Sequence, residues 1–266
     1  MQKTEELIQL SDPGEVGRAE HNRGDRIVVW ISNFFAWLFP ALMVAICAQV
    51  VLRQAGHNQA WLDDFQWWLY GAAVLVGIGY AVTTNSHVRV DIFYDNYSDE
   101  KKARTEVVAL VWLFLPFILL SWDVTFHYAV ASVVADEGSD SPNGLHNLWI
   151  LKVFMNAAFL FIAFAIWAAY VRNLSKLTEP TLFKQLLVAF PTVWFAMNLA
   201  CYYAIWWFLR LTSGPDVSAR DIGRMDIFDE FELGPYEIKY TVVIALVATI
   251  VLLILVRLFS GRRSGA

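Results

Sequence analysis

Six long apolar stretches constrain this chain more than any motif in it. They run over roughly Ile27–Leu52, Phe65–Thr84, Val107–Phe126, Leu148–Tyr170, Leu186–Leu211 and Ile238–Leu258. A helix needs about 20 mostly apolar residues to cross the hydrocarbon core of a bilayer, and each stretch meets or nearly meets that length. In lipid every backbone polar group must be paired within the segment, so runs this long are read as helices. Of the 266 residues, 58% are hydrophobic and 17% charged, against roughly 25% charged in an ordinary soluble chain. The sequence reads as an all-α integral membrane protein with about six transmembrane helices. Residues 1–26 form a polar segment expected to be largely disordered, and no secretory signal peptide is visible in it.

Charge sets the expected orientation. Lys and Arg collect on cytoplasmic loops. With both termini cytoplasmic, the inner side carries 14 basic residues and the outer side 6. The fifth connection, residues 213–237, is the longest, and seven acids run from Asp216 to Glu237. It reads as an acidic outer loop, either solvated or a partner-binding segment.

Ionisable groups deep in a membrane are costly and mark ion paths or proton relays. The spans have none near their centres. Asp123 and His127 share a face in the last outer turns of the third span, as an interfacial pair or a contact to a partner. The five histidines, His21, His57, His87, His127 and His146, all lie away from span centres, whereas a haem b subunit needs axial His inside its bundle. Cys47 and Cys201 each sit in an apolar run, which excludes a disulfide framework. No nucleophile triad, phosphate loop or metal-spaced cluster appears. The chain therefore reads as non-enzymatic, without cofactor or metal and without a nucleic-acid partner.

The spans do carry packing material. Ala73, Gly77 and Ala81 recur every four residues in the second span, a stripe that permits close helix approach. Pro40, Pro116 and Pro191 fall inside the first, third and fifth spans, where each removes a backbone donor. Between the first two spans, Arg53 closes one helix, and Trp61, Asp63 and Asp64 open the next. The acids complement a helix N-terminus or form an outer docking surface.

The stretch after the second span contains His87, Arg89 and Asp91. His87 and Asp91 are four apart and share a helical face. Val90, Phe93, Tyr94 and Tyr97 follow at helical spacing, as in a short interfacial helix. Ser98 is an N-cap for the third span, with Asp99 and Glu100 in its first turn. Lys101, Lys102 and Arg104 then sit where anionic lipid headgroups attract them. These residues read as a structural corner on the cytoplasmic side.

The order of these features resembles the small membrane subunit of tripartite ATP-independent periplasmic (TRAP) transporters, the DctQ-like family. The residues that carry the resemblance are Arg53, Trp61, Asp63, Asp64, Gly77, His87, Val90 and Asp91, within about residues 25–174. Gln54 departs from the aromatic often found after the Arg, and residues 175–266 add two spans to the common form. On this reading residues 27–174 are a four-span DctQ-like domain and 175–266 a two-span extension. The resemblance implies a scaffold subunit in the bacterial inner membrane that supports a large permease subunit. That permease takes up an organic acid with a cation, after a periplasmic binding protein delivers it. Arg53, Trp61, Asp63, Asp64, Ala73, Gly77 and Ala81 are the expected contacts to the permease, alongside membrane lipids. The competing reading is a membrane anchor for a redox enzyme that binds haem or quinone.

Overall fold

A computed structural model describes residues 18–86, 94, 96–214, 217–233 and 235–263. The chain divides into two units, Met1–Leu177 and Thr178–Ala266.

In the first unit a 3-10 turn, Arg18–Glu20, leads into α1 (Arg23–Ala36) and α2 (Leu38–Gln54). These are followed by α3 (Ala60–Thr84) and α4 (Asp99–Val108). A π-helical segment, Ala109–Phe114, joins α4 to α5 (Leu115–Val134), and α6 (Trp149–Ser175) completes the unit. These helices make four spans: Arg23–Gln54, Ala60–Thr84, Asp99–Val134 and Trp149–Ser175. The first is 32 residues long and the third 36. At 1.5 Å per residue they reach about 48 and 54 Å, well beyond a hydrocarbon core of about 30 Å. Their polar ends therefore stand in the interfacial zones, which is why both exceed the apolar runs that mark them in the sequence.

Helix α6 is the centre of the unit. It packs against α3 and α5, and also touches α1 and α4. Ile162, Ala165, Ile166, Ala169 and Tyr170 are its buried core, facing Ala73, Val76 and Val82 of α3 and Val111, Leu115 and Ile118 of the third span. Two glycines permit the close approaches. A Cβ on Gly79 would lie 2.7 Å from Phe161 Cε1, and one on Gly24 would lie 2.8 Å from Ala168 Cβ. Small residues at such crossings bring backbones together where no hydrophobic drive separates helix from lipid.

Each intramembrane proline follows a break in its span. Pro40 lies two residues after the α2 start, and Trp37 interrupts the helix just before it. Pro116 is in the first turn of α5, directly after the π segment. Pro191 is in the first turn of α8, after Ala189 at φ −88°, ψ 21°. Proline cannot donate to the carbonyl four residues back, and the breaks occur where that donor is lost. Asn85 ends α3 in the left-handed region at φ 54°, a position that asparagine tolerates.

The second unit comprises α7 (Leu182–Val188), α8 (Phe190–Thr212), one turn α9 (Ala219–Ile222), and a 3-10 turn at Asp226–Phe228. A ribbon of β1 (Glu230–Leu233) and β2 (Tyr236–Lys239) then precedes α10 (Tyr240–Arg263). Helices α8 and α10 pack together and supply the fifth and sixth spans, Phe190–Thr212 and Tyr240–Phe259. The expected six-span helical fold is present, and the ribbon lies in what the sequence presents as an acidic loop.

Candidate functional site

The buried polar groups of the first unit collect at its two ends. At one end, the side chain of Asn22 accepts from the Asp25 N–H at 3.0 Å, and Asp25 Oδ2 accepts from the Asn22 N–H at 3.0 Å. This capping box starts α1. Asn22 Nδ2 also donates to the Ala168 carbonyl at 2.8 Å. Asp25 Oδ1 lies 2.8 Å from Arg172 Nη1, with both side chains buried. Arg172 Nη2 donates to the Thr83 carbonyl at 2.9 Å. One guanidinium in the last turn of α6 thus ties the start of α1 to the end of α3, where a cation also complements the helix dipole.

Beside this pair, Lys176 lies 2.6 Å from Glu20. That hydrogen bond and the ammonium charge hold the Glu20 carboxyl below the usual range. His21 is buried, and burial, reinforced by the Arg172 charge, lowers its pKa. A polar cleft of about 470 Å³ adjoins the cluster, lined in part by Glu20, Tyr94, Lys102, Glu106, Asn173 and Lys176.

At the opposite end, Arg53 Nη2 donates to both carboxylate oxygens of Asp63, at 3.1 and 3.0 Å. The buried Gln49 amide donates to Asp63, and Gln66 donates to the Gln49 carbonyl. Asp64 Oδ2 accepts from the Leu145 N–H at 2.9 Å, which fastens the α5–α6 loop onto the start of α3. Lys152 pairs with Glu137, which also accepts from Ser132. Those hydrogen bonds hold the Glu137 carboxyl below its ordinary value.

The expected site residues fall into distinct environments. Arg53, Asp63 and Asp64 come together in the second cluster. Trp61 is part-exposed, its Nε1 donating to Gln59 Oε1 at 3.1 Å. The stripe on α3 does not act as one surface. Ala73 is buried within the unit, Ala81 is half-buried, and Gly77 is exposed with open space where a Cβ would stand. Ser98 caps α4, accepting from the Lys101 N–H at 3.4 Å. His87, Arg89 and Asp91 lie outside the described residues.

Sequence reasoning missed Asp25, Arg172 and Gln49. The motif N-x-x-D at 22–25, directly before an apolar run, was the available signal for Asp25.

The family model described as "Tripartite ATP-independent periplasmic transporters, DctQ component" matches residues 42–176. The chain belongs to this family. No curated protein and no solved structure matches it. The matched region of this DctQ component ends one residue before the boundary between the two units at Leu177. It takes in both partners of the Arg53–Asp63 pair, together with Asp64, Gly77 and Arg172. It leaves Asp25 and the second unit outside. Membership and six spans of sufficient length make this a multi-pass protein of the bacterial inner membrane and a component of a TRAP transporter.

Proposed function

We propose that the chain is the small scaffold subunit of a TRAP-type secondary transporter. It supports a large permease subunit in cation-coupled uptake of an organic acid delivered by a periplasmic binding protein. The observation that carries this reading is the coincidence of the DctQ match, residues 42–176, with a self-contained four-span unit.

The distribution of polar groups supports a static role. The described ion pairs of the first unit stand at its two ends, Asp25–Arg172 and Glu20–Lys176 at one, Arg53–Asp63 and Glu137–Lys152 at the other. These pairs pin helix ends together. On this reading both termini are cytoplasmic, the Asp25–Arg172 cluster faces inward, and the Arg53–Asp63 cluster faces the binding protein's side. The exposed side of α3 around Gly77, with Trp61 at its outer end, is the contact with the permease. Residues 1–26 are then a cytoplasmic segment and residues 175–266 an extension specific to this form.

The test is co-purification. A tagged version of this chain, expressed with the permease, is expected to retain the permease through detergent extraction. A chain that purifies alone, or with a visible haem b absorption spectrum, counts against the proposal.

A further inference from the structure

The ribbon before α10 has two chemically opposite faces. Its register pairs Glu230 with Lys239, Phe231 with Ile238, Glu232 with Glu237 and Leu233 with Tyr236. Directly opposed residues share a face, and faces alternate along each strand. One face therefore carries Glu230, Glu232, Glu237 and Lys239. The other carries Phe231, Leu233, Tyr236 and Ile238. The apolar face is covered only near its base, where the Phe231 ring lies 5.1 Å from that of Tyr240. Phe231 and Ile238 are half-buried, while Leu233 is 58% exposed and Tyr236 71% exposed. An isolated two-stranded ribbon is marginal in water, so this face needs a cover.

We infer that the ribbon lies flat on the bilayer surface, with its apolar face in the lipid interface and its glutamates toward water. Continuity with the membrane span is the first reason. Lys239, which ends β2, is followed directly by Tyr240, the first residue of the sixth span. The Tyr240 N–H donates to the Asp229 carbonyl at 3.2 Å, which closes the base of the ribbon at that level. Four-residue strands reach only about 13 Å, so a flat ribbon stays within the interfacial zone throughout.

Side-chain chemistry is the second reason. Tyrosine favours the interface, with its ring in the apolar region and its hydroxyl wet. The four charged side chains share the opposite face, so seating the ribbon buries none of them. Glu232 stands directly across from Glu237, a like-charge pair that is destabilising and is best tolerated where water screens it. The acidic stretch is thus a membrane-surface element rather than a loop held away from the bilayer.

Nitroxide scanning tests this on the full chain in lipid nanodiscs, with Cys47→Ala and Cys201→Ala removing the native thiols. Labels are placed at Leu233→Cys and Tyr236→Cys on one face, and at Glu232→Cys and Glu237→Cys on the other. Two variants per face guard against a single misfolded one. The labels at 233 and 236 are expected to collide more with oxygen than with a water-soluble nickel chelate, and those at 232 and 237 the reverse. Preferential nickel access at all four positions overturns the inference. So does shielding of 233 and 236 from both reagents, whether it arises with added permease, with binding protein or with rising density of this chain. Those results assign the cover to the permease, the binding protein or a second copy.

Discussion

Arg172 and Asp25 lie 147 positions apart in sequence and 2.8 Å apart in space, both buried at one end of the four-span unit. Removing one member of a buried ion pair strands the other, a cost of about 3–5 kcal/mol. Arg172→Met is therefore expected to lower the thermal stability of the purified chain markedly. The double variant Asp25→Leu with Arg172→Met, which leaves no buried charge, is expected to recover a large part of the loss. A double variant no more stable than the single one would mean that the Thr83 carbonyl contact, not the charge, dominates.

Gly79 and Gly77 are two residues apart on α3 and predict opposite outcomes. Gly79 faces Phe161 with no room for a Cβ, and overpacking of this kind costs about 1–3 kcal/mol. Gly79→Leu is expected to lower the melting temperature of the isolated chain. Gly77→Leu meets open space and is expected to leave the melting temperature unchanged while weakening co-purification with the permease. An intact complex in the Gly77 variant would remove α3 from the proposed contact.

The Arg53–Asp63 pair divides its contribution unequally. The ion pair itself is exposed, and such pairs contribute about 0–1 kcal/mol. Asp63 also accepts from the buried Gln49 amide, and an unsatisfied buried donor costs about 1–3 kcal/mol. Asp63→Ala is expected to destabilise more than Arg53→Ala, as read by thermal melts of the two variants side by side.

His21 makes stability depend on pH. Its folded pKa lies below the ordinary value of 6.5, because burial and Arg172 disfavour the imidazolium. As pH falls through 6.5, the unfolded chain takes up a proton that the folded chain resists, so stability falls. It keeps falling until the folded pKa is reached. Glu20 and Glu137 are depressed carboxylates. The stability they contribute is present above 4.5 and is lost only as pH drops below it. A melting series should therefore show a decline beginning near pH 6.5 that is absent in His21→Gln, with a separate decline below 4.5 in both.

The helices were legible because lipid enforces them: a run of about 20 apolar residues has few other folds open to it. The proline breaks were legible for a similar reason, since a missing donor is a local fact. Burial was harder to read. Asp25 stands in a polar segment and Arg172 in a basic loop flank, and nothing local tells either residue of the other. Four-residue spacing marked Ala73, Gly77 and Ala81 as a stripe, but an i, i+4 row drifts around a helix. Only the packing on Phe161 shows that Gly79 carries the internal contact. The ribbon was written in period-two alternation, E-F-E-L and Y-E-I-K, inside a stretch whose acidity drew attention first.

Uptake in proteoliposomes tests the scaffold role most directly. The permease reconstituted with this chain, a cation gradient and a loaded binding protein is predicted to accumulate the organic acid, and this chain reconstituted alone is predicted to accumulate none. Uptake by this chain alone, or undiminished uptake by the permease when this chain is left out, would contradict it.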